Sequence, residues 1–291
     1  MQNQNIDHGN KFDWGKTSAD YARFRDIYPP QFYEMILNRN CGAAGQRVLD
    51  VGTGTGVLPR NLYAAGAHWT GCDIAPNQIA QAKQLSQGMK VAYLVSTAET
   101  LPTFAEPFDW ITACQCYWYF DVAKTAPAFA RVLKSGGKVL LLCMQWLPYE
   151  DPIAHASEEL VLQYNPNWSG AGERKHPIAI AEEWLDDFTV THQMEIDLDV
   201  PFTRESWNGR MKACRGIGAS LPPEKIALEQ VYPLCYEDMG FFSENGSHRK
   251  RGEDFLKEAP QLLQDYEAQH GKVLRERYSP EEWDWFRQAA D

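Results

Sequence analysis

The sequence predicts an α/β protein built on a doubly wound, mostly parallel sheet with an α-rich cap or insertion. Three observations predict it. Between residues 47 and 143, short apolar runs alternate with helical stretches, the rhythm of strand, crossover helix and strand. The first run leads straight into a glycine-rich turn, Gly52-Thr53-Gly54-Thr55-Gly56, and a helical stretch follows at once. The next run ends near an acid, Asp73, where the carboxyl ends of parallel strands open onto a ligand crevice.

Residues 1–40 are polar and aromatic and read as a helical prelude, in which Phe32, Met35 and Ile36 have helical spacing. Residues 47–51 then read as a strand, 57–65 as a helix, 68–74 as a strand and 76–87 as a helix. Further strands are expected at 90–95, 108–116 and 138–143, with a helix at 122–133 between the last two. Ser135-Gly136-Gly137 fits a helix C-cap that returns the chain to the sheet. After Cys143 the rhythm stops, and 145–175 is rich in Trp, Tyr, Pro and Asn, with one helical stretch at 154–163.

Alternation of Val190, His192, Met194, Ile196, Leu198 and Val200 predicts a long strand over 188–200, buried on one face and closing the far edge of the sheet. Residues 203–291 read as mainly helical, with a helix start at Ser279-Pro280-Glu281-Glu282, and no seventh strand can be placed. The expected organisation is a helical lid at 1–40, a ligand-binding core at 41–143, and an insertion, edge strand and α-rich cap at 144–291.

Composition excludes several classes. At 291 residues, 44% hydrophobic and 23% charged, the chain is neither disordered nor fibrous. Its 28 Lys+Arg against 39 Asp+Glu leave a net charge of −11, which repels a phosphate backbone or an anionic membrane. The only compact basic run, His248-Arg249-Lys250-Arg251, is followed by Glu253 and Asp254 and reads as a solvated loop. No window approaches the roughly 18 apolar residues of a membrane span, and residues 1–5 open no signal peptide, so a cytoplasmic protein is expected. The seven cysteines are odd in number and lie mostly in apolar runs, as reduced buried thiols do.

The glycines let backbone amides approach a ligand closely, and Thr53 and Thr55 add hydroxyls. In the dinucleotide fingerprint the third glycine stands three residues after the second, but here Gly56 follows Gly54 by two. No Lys-Ser/Thr pair follows to make a triphosphate loop. Asp73 suits the two hydroxyls of a ribose; its ordinary structural alternative is a cap on the helix beginning near Pro76.

Taken together, Val48 to Gly56, Asp73, Ala98-Glu99-Thr100-Leu101-Pro102, Phe108-Asp109 and Leu133-Lys134-Ser135-Gly136-Gly137-Lys138 resemble class I S-adenosylmethionine-dependent methyltransferases. The resemblance is to the small-molecule branch related to the ubiquinone-biosynthesis and trans-aconitate enzymes, and it covers roughly residues 14–143. It implies a Rossmann-like core, S-adenosylmethionine as cofactor with S-adenosylhomocysteine as product, and a small-molecule acceptor rather than nucleic acid or membrane. By this resemblance the cofactor-binding residues are Asp50, Gly52, Thr53, Gly54, Gly56, Asp73, Ile74, Thr97, Ala98, Glu99 and Gln115. Tyr21 and Arg25 match a family pair that closes over the methionine end of the cofactor, with an ordinary surface Arg and core Tyr as the alternative. Thr97 departs from the pattern, since many relatives place an adenine-binding Asp there, so that contact falls to Ser96, Glu99 or backbone.

The segment Cys114-Gln115-Cys116-Tyr117-Trp118-Tyr119-Phe120-Asp121 follows the fourth strand, where a methyl acceptor belongs. It lacks both the Asn/Asp-Pro-Pro-aromatic motif of enzymes that methylate adenine or amide nitrogens and the Asp-Asn pair of magnesium-dependent catechol enzymes. Tyr117, Trp118 and Trp146 are the expected pocket walls, while Tyr119 and Phe120 suit packing equally well. Cys72, Cys114, Cys116 and Cys143 near strand ends raise a thiol site for a soft element, against which stands the ordinary use of cysteine as a small core residue; no metal is expected. Tyr21, Tyr117 and His155 are the candidate catalytic side chains. Methyl transfer from a sulfonium to a nucleophilic acceptor rests chiefly on alignment and desolvation, so no acid–base triad is required. The sequence therefore points to metal-independent methyl transfer to O, N, S or C of a small molecule. A non-catalytic S-adenosylmethionine-binding or assembly protein is the alternative, and an NAD(P)-dependent oxidoreductase the third reading. Acceptor identity and oligomeric state are not legible.

Overall fold

A computed structural model describes residues 6–222. Among them, 6–200 and 209–222 belong to one compact unit and 201–208 to a second. Residues 6–40, 41–143 and 144–200 all lie in the first unit. Cys235, the basic run at 248–251, the helix start at 279–282 and most of the expected helical remainder lie outside the described residues.

The first unit is organised around a five-stranded parallel sheet in the order β3-β2-β1-β4-β5. The strands are β1 (Arg47–Val51), β2 (His68–Asp73), β3 (Ala92–Val95), β4 (Phe108–Cys114) and β5 (Leu133–Leu142). Helices α1 (Ser18–Phe24) and α2 (Pro30–Asn38) precede the sheet. Crossovers α3 (Val57–Asn61), α4 (Pro76–Leu85) and α5 (Val122–Val132) alternate with its strands, α6 (Pro152–Tyr164) follows it, and α7 (Arg204–Lys212) comes last. The strand order reverses between β1 and β4, so a crevice opens at their carboxyl ends.

Period-2 alternation in β1 explains the two-sided core. Val48 and Leu49 are both fully buried but point to opposite faces. Val48 joins Phe32, Ile36, Leu58, Leu62, Trp69 and Trp110 under α2 and α3. Leu49 joins Val51, Phe108, Ile111, Phe129 and Trp184 under α5. A parallel sheet covered on both faces reads as nearly continuous hydrophobic runs, which is why β1 and β4 stand out in the sequence.

Two expectations need correction. Ser135-Gly136-Gly137 is not a helix cap, because α5 ends at Val132 and β5 begins at Leu133. Phe108 pairs with Leu133 while Trp110 pairs with Lys138, so the intervening residues bulge from the ladder, with Gly136 at φ 74°. Residues 188–200 form no strand. Val190, Met194 and Ile196 are exposed, and the segment is held by side chains, Arg39 Nη2 reaching His192 Nε2 at 3.0 Å and Gln193 Nε2 donating to the Ile178 carbonyl at 2.9 Å. Alternation supplies a pattern but no partner edge, and without a ladder the pattern stays extended coil.

The 201–208 segment starts α7 with a reciprocal cap. Thr203 N–H donates to Ser206 Oγ at 2.9 Å, and Ser206 N–H donates to Thr203 Oγ1 at 3.1 Å. Phe202 meets Trp207 edge to face at 5.0 Å.

Candidate functional site

At the carboxyl end of β1 all three glycines are left-handed, with φ 68° at Gly52, 55° at Gly54 and 77° at Gly56. Their surroundings differ. A β-carbon on Gly52 would strike the Cys116 side chain, 2.6 Å from Sγ, and one on Gly56 would strike the Tyr93 ring and its hydroxyl. One on Gly54 meets only Tyr21, at an ordinary 3.5 Å. Gly56 and Gly71 together make room for Tyr93, whose hydroxyl hydrogen-bonds Ser86 Oγ at 2.8 Å. The two-residue spacing to the third glycine, unusual for a dinucleotide loop, follows from this ring.

Asp50 lies beneath the loop. It is 2% exposed, accepts Thr53 Oγ1–H at 2.6 Å and Thr112 Oγ1–H at 2.7 Å, and stands opposite Thr112 in the β1–β4 register. Burial pushes its carboxyl up to about 6 despite the two hydroxyls. Both oxygens being occupied within the protein, Asp50 shapes the loop by holding Thr53.

Asp73 closes β2. Its Oδ2 accepts Gly54 N–H at 2.9 Å and its Oδ1 accepts Ala75 N–H at 2.9 Å, so one carboxylate joins the glycine loop to the start of α4. Burial raises its pKa while the backbone donors of Ala75, Gly54 and Ile74 oppose that rise. Ile74 beside it is 66% exposed, an apolar surface next to a carboxylate. After β3, Thr97 Oγ1 accepts Thr100 N–H at 3.1 Å in a tight turn, Ala98 is buried, and Glu99 Oε1 accepts Asp121 N–H at 3.1 Å. Gln115 sits at φ 62°, rare for a non-glycine residue, just past β4, and its side-chain amide donates to the Met144 carbonyl.

The prelude covers the loop. Tyr21 rests against Gly54, and the Arg25 guanidinium lies 5.0 Å from the Tyr21 ring centroid. Among the described residues no carboxylate lies within 4.0 Å of Arg25. The neighbouring Asp26 anchors the prelude behind the loop, accepting from Arg60 Nη2 at 3.1 Å and from Asn61 Nδ2 at 2.9 Å, while Arg60 Nε donates to the Thr55 carbonyl at 3.3 Å. Sequence reasoning missed Asp26, Arg60 and Tyr93, because their roles depend on which helix and strand lie beside the loop.

Beyond β4, Tyr117 and Trp118 lie in a short 3-10 turn, edge to face at 5.1 Å. Burial pushes the Tyr117 phenol up to about 12, so it works as a neutral hydroxyl at physiological pH. Tyr119 packs against Phe12 and Trp14 and accepts Arg215 Nη1–H at 3.0 Å, and Phe120 packs on Phe129. Trp146 donates its indole N–H to Glu158 of α6. His155 on the same helix pairs with Glu159 at 3.3 Å. The strand-end cysteines have partners of their own: Cys114 hydrogen-bonds Tyr28 at 3.4 Å, Cys116 donates to the Val51 carbonyl at 3.2 Å, and burial pushes Cys114 and Cys143 up to about 12. The six described cysteines are free thiols. Among the described residues no cluster of three His, Cys, Asp or Glu has a metal-binding arrangement, and no helix is long and apolar enough to cross a membrane.

Comparison with known proteins gives the class. A methyltransferase domain model matches residues 48–137. The ubiquinone biosynthesis O-methyltransferase of Marinobacter nauticus is 31% identical over 179 residues, which cover 57% of this chain and 74% of that protein. The protein of the same name from Aromatoleum aromaticum is 34% identical over 130 residues, and the match spans 43% of this chain and only 55% of that protein. Among solved structures, a methyltransferase from Geobacter sulfurreducens in complex with S-adenosylhomocysteine overlaps 40% of this chain and 48% of that one, at 25% identity and TM-score 0.35. That overlap is too slight to argue from, and the fold rests on the strand order itself. The chain belongs to the class I S-adenosylmethionine-dependent methyltransferases, whose methyl donor is S-adenosylmethionine.

Proposed function

We propose that the protein transfers a methyl group from S-adenosylmethionine to a hydroxyl oxygen of a small ring-bearing acceptor. The observation that carries the reading is the Asp73 carboxylate bonded to Gly54 N–H at the switch point of the sheet. The residues present fit the cofactor. Asp73 keeps lone pairs for ribose hydroxyls, exposed Ile74 offers a flat apolar seat for a purine, and Gly54 leaves its outer face open beneath Tyr21. Arg25 suits a carboxylate at the methionine end. Thr97, Ala98 and Glu99 border the purine side, Gln115 the reacting end, and Asp50 supports the loop from below.

When bound, S-adenosylmethionine supplies an electrophilic methyl group whose leaving group is a neutral thioether. Tyr117, Trp118 and Trp146 orient the acceptor, and the prelude with Tyr21 excludes water from above. Tyr21 and Tyr117 offer hydroxyls to align the acceptor oxygen, and the oxygen's proton leaves to water or to a side chain such as His155. This route asks for no metal, because the donor already carries a good leaving group. The hydroxyl assignment draws on the name of the two relatives, and the aromatic turn after β4 supports a ring-bearing acceptor.

The test is release of S-adenosylhomocysteine from labelled cofactor across a library of phenols, catechols and hydroxy acids. Acceptor-dependent release is expected. Tight cofactor binding with no release from any acceptor would favour a binding or assembly role, and NADH binding without S-adenosylmethionine binding would overturn the reading altogether.

A further inference from the structure

We propose that Glu158 and Asp7 are positioning residues for the acceptor: they clamp the loop at 169–172 from two sides, tie the aromatic wall at Trp146 to the wall at Tyr117-Trp118, and so set the ring size the site accepts. The step rests on the methyl-transfer reading and narrows its substrate class. Among the described residues the buried acids are Asp50, Asp7 and Glu158. Asp50 serves the glycine loop. The other two, 2% and 4% exposed and far apart in sequence, hold one short loop.

Glu158 holds the first wall. From α6 its Oε1 accepts the Trp146 indole N–H, and its Oε2 accepts Gly172 N–H at 2.7 Å. Arg210 lies over the same ring, its guanidinium 4.0 Å from the centroid, so the indole is held at its edge and on a face. A carboxylate accepts at both oxygens, whereas an amide in its place would turn a donor towards one of the two N–H groups.

Asp7 holds the second wall. Its Oδ1 accepts Ser169 N–H at 2.8 Å and Ser169 Oγ–H at 3.1 Å, and its own N–H donates to Ser169 Oγ at 3.0 Å. Arg215 Nε pairs with Asp7 Oδ2 at 3.0 Å, while Arg215 Nη1 donates to the Tyr119 hydroxyl at 3.0 Å. Tyr119 is tilted against Trp118 at 5.5 Å, and Trp118 meets Tyr117 at 5.1 Å. The loop itself is seated on Trp168, which is 5% exposed. A β-carbon on Gly170 or on Gly216 would lie 2.5 or 2.7 Å from the Trp168 ring, and Asn165 Nδ2 donates to the Gly216 carbonyl at 2.9 Å.

Buried carboxylates are costly to desolvate, and apolar packing would hold a loop as well. What a fully bonded carboxylate adds is a single geometry, because each oxygen must meet its own donors. Here that geometry links the turn after β4 to the residue following β5, the two places where the sheet's carboxyl edge offers aromatic rings. Walls fixed in this way select a ring by fit and keep its oxygen in line with the transferable methyl group. A loosened wall admits other rings and aligns each of them poorly.

The experiment uses the full chain with labelled S-adenosylmethionine and compares catechol with 2,3-dihydroxynaphthalene, two diols that differ by one fused ring. The unaltered protein is expected to separate them by at least about tenfold in kcat/KM, and Glu158→Gln to shrink that ratio to within about threefold, mainly by raising KM for the favoured diol. Glu158→Asp, which keeps both acceptor oxygens, should retain more of the ratio than Glu158→Gln. Affinity for S-adenosylhomocysteine should stay within about threefold in both variants, since the glycine loop and Asp73 are untouched. Asp7→Asn should shrink the ratio in the same way, and it decides the matter should Glu158→Gln fail to fold. No discrimination by the unaltered protein, or an unchanged ratio in a folded variant, would overturn the proposal and leave the methyl-transfer reading standing. Methylation of neither diol by a protein that binds S-adenosylhomocysteine would do the same. Failure to bind S-adenosylhomocysteine would remove both.

Discussion

Gly54 N–H donates to Asp73 Oδ2 across 2.9 Å, so the glycine loop after β1 and the acid after β2 are one hydrogen-bonded unit before any ligand arrives. Asp73→Ala should therefore lose S-adenosylhomocysteine affinity by at least tenfold. On the proposed cofactor placement it removes two ribose contacts, each charge-assisted bond being worth roughly 1.5–3 kcal/mol, and it also loosens the loop. Asp73→Asn keeps one acceptor oxygen and should fall between. Calorimetry on the three proteins checks the order, and equal affinities would remove Asp73 from the site.

The second and third loop glycines should fail in different ways. Gly56→Ala places a methyl on the Tyr93 hydroxyl at a left-handed φ, and overpacking of this kind costs about 1–3 kcal/mol, so its urea midpoint should drop clearly. Gly54→Ala carries the same backbone strain but meets only Tyr21 at 3.5 Å, so its larger effect should fall on cofactor affinity. Finding Gly54→Ala the less stable of the two would contradict this packing.

Asp26→Ala should free the prelude without touching the ligand surface, because Asp26 is where Arg60 and Asn61 hold α1 and α2 behind the loop. Trypsin should cut faster after Arg23 or Arg25 in the variant, and saturating S-adenosylhomocysteine should slow the cut through Tyr21 and Arg25. Identical cleavage in both proteins, with and without ligand, would show that the anchor is irrelevant.

Asp50 should leave a signature in acid. Its folded pKa of about 6 lies above the ordinary 3.8, so between those values the folded protein holds a proton that the unfolded chain has released. Stability from this group is fully present below about pH 4, declines up to about pH 6 and is flat above. Asp50→Asn can still engage Thr53 and Thr112, whose hydroxyls rotate to donate or accept. Subtracting variant from wild-type stability at several pH values should reveal the decline, and a pH-independent difference would count against a raised Asp50.

Trp118→Ala should cut turnover about tenfold or more while S-adenosylhomocysteine affinity stays nearly constant, since the glycine loop and Asp73 are untouched and only acceptor positioning is lost. Activity abolished by EDTA and restored by Mg²⁺ or Zn²⁺ would reveal a metal that the proposed chemistry does not use.

The local parts of this protein were determined by the sequence alone. A strand such as Val48-Leu49-Asp50-Val51 is apolar at all but one position because both faces of a parallel sheet are covered, and the turn after it is rich in glycine because φ is positive at three alternate positions. The acid after the next strand is legible for the same reason, since strand and crossover lengths fix its place. Pairing partners are another matter. The alternation over 188–200 looks like a strand until no partner edge for it is found among the described residues, and Ser135-Gly136-Gly137 looks like a cap until the register between Phe108 and Trp110 shows a bulge. Tyr93 beneath Gly56, Thr112 on Asp50, Asp26 on Arg60 and Arg210 on Trp146 join residues between 34 and 64 positions apart. No local pattern encodes such contacts, because sheet order and helix docking alone decide which side chains meet at the crevice.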